Sequence, residues 1–130
     1  MWFSVFSISS GAVLGALLRW QLGARLNALF PYLPPGTLTA NLLGGYLACL
    51  AVAIFAAMPQ LSPEWKLFVI TGFLGALTTF SSFSLEMVSL MQQERYAWAL
   101  AGITSHLFGP LLMTLAGIGT VQLVRHLLAA

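Results

Sequence analysis

The chain has 130 residues, 59% of them hydrophobic and 6% charged, with a net charge of +2. Mean hydropathy is +0.92, whereas soluble domains average about 25% charged residues, so the composition excludes an ordinary soluble domain and assigns the chain to lipid. The small, scattered positive charge gives no basic patch for a nucleic acid, and the length allows a single domain, residues 1–130.

Four apolar segments follow one another, each near the roughly 20 residues that span hydrocarbon: residues 2–22, 37–58, 65–91 and 96–124. The N-terminal one has no basic residue before its apolar run and no small-residue cleavage site before Arg19, so it is expected to be a retained helix. Breakers fill the connections: Pro31, Pro34, Pro35 and Gly36, then Pro59 and Pro63, then the polar run 92–95. The four tryptophans, Trp2, Trp20, Trp65 and Trp98, fall at segment ends, where an interfacial aromatic belt lies. The expected fold is an all-α membrane protein of four transmembrane helices.

Basic residues are balanced across the membrane. Lys66 and Arg125 fall on the side of the termini; Arg25 and Arg95 fall on the other, with Arg19 just inside it. The positive-inside rule gives almost no orientation vote. Insertion in both directions, and an antiparallel homodimer with it, therefore stays open beside a fixed topology. Gly11 with Gly15, and Gly44 and Gly45 with Ala48, supply small-residue faces for close helix approach. Cys49 lies in an apolar run without metal-ligand company and reads as a small filler.

The third segment carries glycine, threonines and serines at Gly75-Ala-Leu-Thr-Thr-Phe-Ser-Ser-Phe-Ser84. Polar, irregular backbone at membrane depth survives only where it is buried in protein or lines a polar cavity, and broken helices mark ion and substrate sites. The third helix is therefore expected to break near mid-membrane. Phe80 and Phe83, three apart, share a face if helix resumes there.

Arg19 and Glu86 are the charges farthest inside the apolar segments, at similar depth, and either pair or share a wet vestibule. Asn41, with Thr37 one turn away, is either glue between helices or a donor facing a pore. The fourth segment has a stripe of Gly102, His106, Pro110 and Thr114 at i, i+4 spacing. His106 has no second ligand at metal spacing and reads as a packing residue. No nucleophile–base constellation appears, and no enzyme is expected. Aromatic ring edges are positive; beside hydroxyl and amide donors they suit a small, strongly hydrated anion, while taken alone Phe80 and Phe83 read as lipid-facing or core residues.

The pattern Gly75-x-x-Thr78-Thr-Phe-Ser-Ser-Phe-Ser84-x-Glu86, with Gly36-Thr-Leu-x-x-Asn41-Leu and Arg19-Trp20 upstream, resembles the Fluc (CrcB) family of fluoride channels over essentially the whole chain. The resemblance implies a dual-topology, antiparallel homodimer in a bacterial plasma membrane, with two pores exporting fluoride passively and relieving its toxicity. It implies a structural sodium ion at the dimer interface, held by backbone carbonyls at the positions of Gly75 and Thr78. The pore phenylalanines match Phe80 and Phe83, the pore asparagine Asn41, and the vestibule arginine Arg19. A hydroxyl track matches Thr37, Ser84 and Thr114. The fourth helix departs from the pattern: Pro110 stands where many relatives have serine, and Gly102 where some have a hydroxyl residue. A kink is expected at Pro110. A small proton-coupled exporter of organic cations is the alternative, but it needs a carboxylate deep in the first helix, which here has only Arg19. A membrane scaffold would need neither a polar break nor Asn41 with paired phenylalanines.

Overall fold

A computed structural model describes residues 1–130. Every regular element is helical, and four spans are long and apolar enough to cross a membrane: Trp2–Leu29, Pro35–Ala57, Pro63–Gln92 and Tyr96–Ala129. The first holds α1 (Trp2–Leu26) and a short 3₁₀ turn, Asn27–Leu29. The second is α2 (Pro35–Ala57). The third divides into α3 (residues 63–77) and α4 (Ser81–Gln92), and the fourth is α5 (Tyr96–Ala129).

The helix ends fall outside the bounds expected from hydropathy. Helix α1 continues past Leu22 to Leu26, because Ala24 and Arg25 are good helix formers whether or not they are apolar. Helix α2 starts at Pro35 rather than Thr37; proline at a first helical position lacks only an N–H that would be unpaired there anyway. Helix α5 runs to Ala129 instead of Val124 and winds through Pro110 without ending. Its 34 residues, at about 1.5 Å each, are longer than the roughly 30 Å of hydrocarbon.

Within α3, residues Leu67–Leu74 are wound as a π-helix. This wider segment lies against α1 backbone to backbone. A Cβ on Gly11 would sit 2.9 Å from the Phe73 amide nitrogen, and one on Gly72 would sit 3.1 Å from that of Ala12. Glycine is needed at both positions because nothing else lets the two helices approach so closely. Gly45 plays the same part between α2 and α5, where a Cβ would lie 2.7 Å from the Pro110 carbonyl oxygen.

The core is small. Leu77 is fully buried beside Ala40, Ala51, Phe55 and Leu74, and a second cluster joins Met87, Leu90 and Ala99. Only 16 of 130 residues are buried, while Trp2, Trp20, Trp65 and many leucines are exposed. Such an outer surface belongs against lipid or another copy. At one end Tyr32 stacks on Trp98 with centroids 5.7 Å apart, Phe30 meets both edge-on, and the Arg95 guanidinium lies 4.2 Å over Tyr32. These contacts hold the α1–α2 loop against the start of α5.

Candidate functional site

The helical ladder of the third span stops at Leu77 and restarts at Ser81. Thr78 is extended, with φ −80° and ψ 153°. Side chains take the amides that would have continued the helix. The Thr79 N–H donates to Asn41 Oδ1 at 2.8 Å, and the Ser82 N–H to Thr79 Oγ1 at 3.1 Å. No N–H or side chain then donates to the carbonyls of Gly75 or Thr78. Nor does any carbonyl or side chain accept from the Phe80 and Phe83 amides. The interruption thus leaves the Gly75 and Thr78 carbonyls and the Phe80 and Phe83 amides without partners in the chain.

Asn41, from α2, clamps this interruption. Its Oδ1 accepts the Thr79 N–H while its Nδ2 donates to the Thr79 carbonyl at 3.0 Å. The same Nδ2 lies 3.0 Å from His106 Nδ1 on α5. The His106 ring stacks on Phe83, centroids 4.6 Å apart at 29°, and Phe83 meets Phe80 edge-on at 5.5 Å. These bonds tie α2 to the third span and to α5.

Two concavities meet at Thr79. One, of about 260 Å³, is lined by Arg19, Asn27, Thr37, Thr79, Ser82 and Glu86. Arg19 and Glu86 share it, but their bonds go elsewhere. Arg19 Nε donates to the Ala76 carbonyl at 2.9 Å, and Glu86 Oε1 accepts the Thr37 hydroxyl at 2.6 Å. Glu86 Oε2 is enclosed without a partner. The other, about 480 Å³, opens on the surface between Asn41, Gly45, Gly75, Thr78, Phe80 and His106. Phe80 is 78% exposed beside it, and Gly75 is exposed too.

Thr37 lies in the Arg19 cavity. The Thr114 hydroxyl faces two carbonyls, Gly45 at 3.0 Å and Pro110 at 2.9 Å. The Ser84 amide donates to the Phe80 carbonyl at 2.8 Å, and its hydroxyl takes no partner from the chain. On α5, Gly102 lies against Met87 and Pro110 against Gly45. Sequence reasoning passed over Asn27, whose Oδ1 accepts from the Gly36 and Thr37 amides at 2.8 and 3.2 Å and so caps α2 from another helix. No local pattern announces a cap nine residues away. The pairing of His106 with Asn41 needs α2 and α5 side by side, which no spacing within α5 announces.

The family model described as CrcB-like protein, Camphor Resistance (CrcB), matches residues 6–118. A protein of Chromohalobacter salexigens is 61% identical over 98% of this chain and 96% of its own length. Another, of Nitrosomonas europaea, is 60% identical over 93% of this chain and 95% of its own. A third, of Chromobacterium violaceum, is 59% identical over 97% of this chain and 100% of its own. Each carries the name fluoride-specific ion channel FluC. With four spans and these relatives, the protein is a multi-pass plasma-membrane protein and not an enzyme. Identity at this level along nearly the whole length places the chain in the CrcB family, alongside those fluoride-specific channels.

Proposed function

We propose that the protein is a fluoride channel that lets fluoride leave the cell passively, along a route from the Arg19 cavity past Thr79 to the Phe80–Phe83 pair. The carrying observation is the interruption at 78–80, which leaves the Phe80 and Phe83 amides without acceptors beside two aromatic rings. Fluoride is small and strongly hydrated, and entering a narrow path requires close donors in place of water. Amide N–H groups and positive ring edges are such donors. Arg19 raises the anion concentration at one mouth.

Two copies assemble antiparallel, each dimer holding two routes of opposite sense. The balanced basic residues support this arrangement, as do the exposed Phe80 and the open surface around Gly75. The free Gly75 and Thr78 carbonyls fit a hard cation such as sodium, which oxygen ligands favour. A sodium ion held there would supply fixed positive charge between the two routes. The alternative of an organic-cation exporter finds no support, since the only charge toward the interior on α1 is Arg19.

The test is efflux from liposomes carrying the purified protein, followed with a fluoride electrode and repeated with chloride. Fluoride should leave rapidly and chloride should stay. Equal chloride release, or no fluoride release, would overturn the reading.

A further inference from the structure

We propose that His106 is a positioning residue. As a neutral imidazole with its proton on Nε2, it accepts from Asn41 through Nδ1, and so holds the Asn41 amide and the Thr79 peptide in place.

The argument starts at Thr79. A peptide N–H can only donate and a carbonyl can only accept. Thr79 N–H lies 2.8 Å from one terminal atom of Asn41, and Thr79 C=O lies 3.0 Å from the other. Those two bonds fix which atom is oxygen and which is nitrogen, an assignment otherwise open to exchange. The nitrogen is therefore the atom 3.0 Å from His106 Nδ1. An NH₂ group has a second hydrogen, and Nδ1 meets it with a lone pair only if the ring proton is on Nε2. The other tautomer, and the doubly protonated ring, would set N–H against N–H. The interior's two charged groups supply no counter-ion: Arg19 and Glu86 line the other cavity, bonded to Ala76 and Thr37.

The ring is held on a second side by its stack on Phe83. One residue of α5 thus touches both the α2 amide that clamps the interruption and an aromatic ring of the route. Without Nδ1, the Asn41 amide keeps its Thr79 bonds but loses the contact that fixes its plane, and a half-buried N–H is left without its protein partner.

Histidine occurs at two positions, 106 and 126, so His126→Gln leaves one ring to observe. Ring-¹⁵N NMR of that dimer, labelled at histidine, should show an unprotonated Nδ1 and a protonated Nε2, and Asn41→Leu should shift the Nδ1 signal. In flux, His106→Phe keeps the ring and removes the acceptor; it should lose about tenfold, the equivalent of one buried hydrogen bond left unmade. His106→Asn places an acceptor oxygen near the position of Nδ1 without the ring and should recover much of that loss. A proton on Nδ1, parent-like flux in His106→Phe, or no advantage of His106→Asn over His106→Phe would each overturn the proposal. If His106→Phe yields no stable dimer, the tautomer decides. The flux arm rests on the fluoride-channel reading and the tautomer arm does not: a parent that carries no fluoride but shows the Nε2–H ring defeats the first and keeps the second.

Discussion

Thr79 is the residue on which the interior converges, since both of its peptide groups are held by the Asn41 amide. That pairing depends on having one donor and one acceptor at position 41. In Asn41→Asp an oxygen still accepts the Thr79 N–H, but a second oxygen faces the Thr79 carbonyl, and the contact to His106 loses its hydrogen. The expected result is at least about a tenfold loss of fluoride efflux in a dimer that still forms, because a buried group left unmatched costs about 1–3 kcal/mol. Efflux at matched dimer content checks it, and parent-like flux would show that the clamp is dispensable. Phe83 makes a different contribution. Phe83→Ile keeps the bulk but removes the positive ring edge and the stack on His106. Flux should fall strongly with assembly intact; a well-folded variant with normal flux would make the ring mere packing. The sequence shows Asn41, Thr79 and Phe83 as polar or aromatic residues out of place in lipid. It does not show that Asn41 meets Thr79, 38 residues away.

At the scale of the element, the third span is unusual twice. Its hydroxyl-rich stretch is visible in the sequence, and the ladder does stop there. The π-helical winding of Leu67–Leu74 is not visible, because that stretch is almost uniformly apolar and its periodicity cannot distinguish one winding from another. Gly72 within it lies against α1, and such windings gather at functional sites. The turn between α4 and α5 carries the one non-glycine residue with positive φ, Glu94 at 58°. Around it the Arg95 amide reaches back to the Leu90 carbonyl at 2.8 Å, and that of Glu94 to Met91 at 3.0 Å. A left-handed residue with a Cβ costs about 1–2 kcal/mol, a cost glycine escapes. Glu94→Gly should therefore stabilise the protein by about 1 kcal/mol, raising its thermal midpoint in detergent without changing flux. A lowered midpoint would mean that the Glu94 side chain contributes more than its backbone strain costs.

At the scale of the whole molecule, much apolar surface is left uncovered. Few residues are buried, Phe80 stands 78% exposed, and a large concavity opens beside it. Gly75 is informative here. Unlike Gly11 or Gly72, it has no neighbour in the protomer that forbids a side chain: a Cβ would meet only the Ile70 carbonyl, at 3.7 Å. If a second copy and a cation take that space, Gly75→Leu should abolish both dimer and flux while leaving helix content unchanged. Cross-linking in membranes and circular dichroism would separate the two effects, and an intact dimer would place the interface elsewhere.

The sequence by itself determined the class and the span count, because hydropathy acts through composition over some 20 residues and needs no partner. It also marked where a regular helix cannot comfortably run, since glycine and hydroxyls at membrane depth are conspicuous against an apolar background. Only the tertiary structure decided how that interruption is satisfied: Asn41 and His106 at Thr79, Arg19 at Ala76, Thr37 at Glu86. Each bond joins residues dozens of positions apart on different spans. A hydrogen bond depends on position to a few tenths of an ångström, and only helix packing sets position that finely; the order of residues along one chain does not.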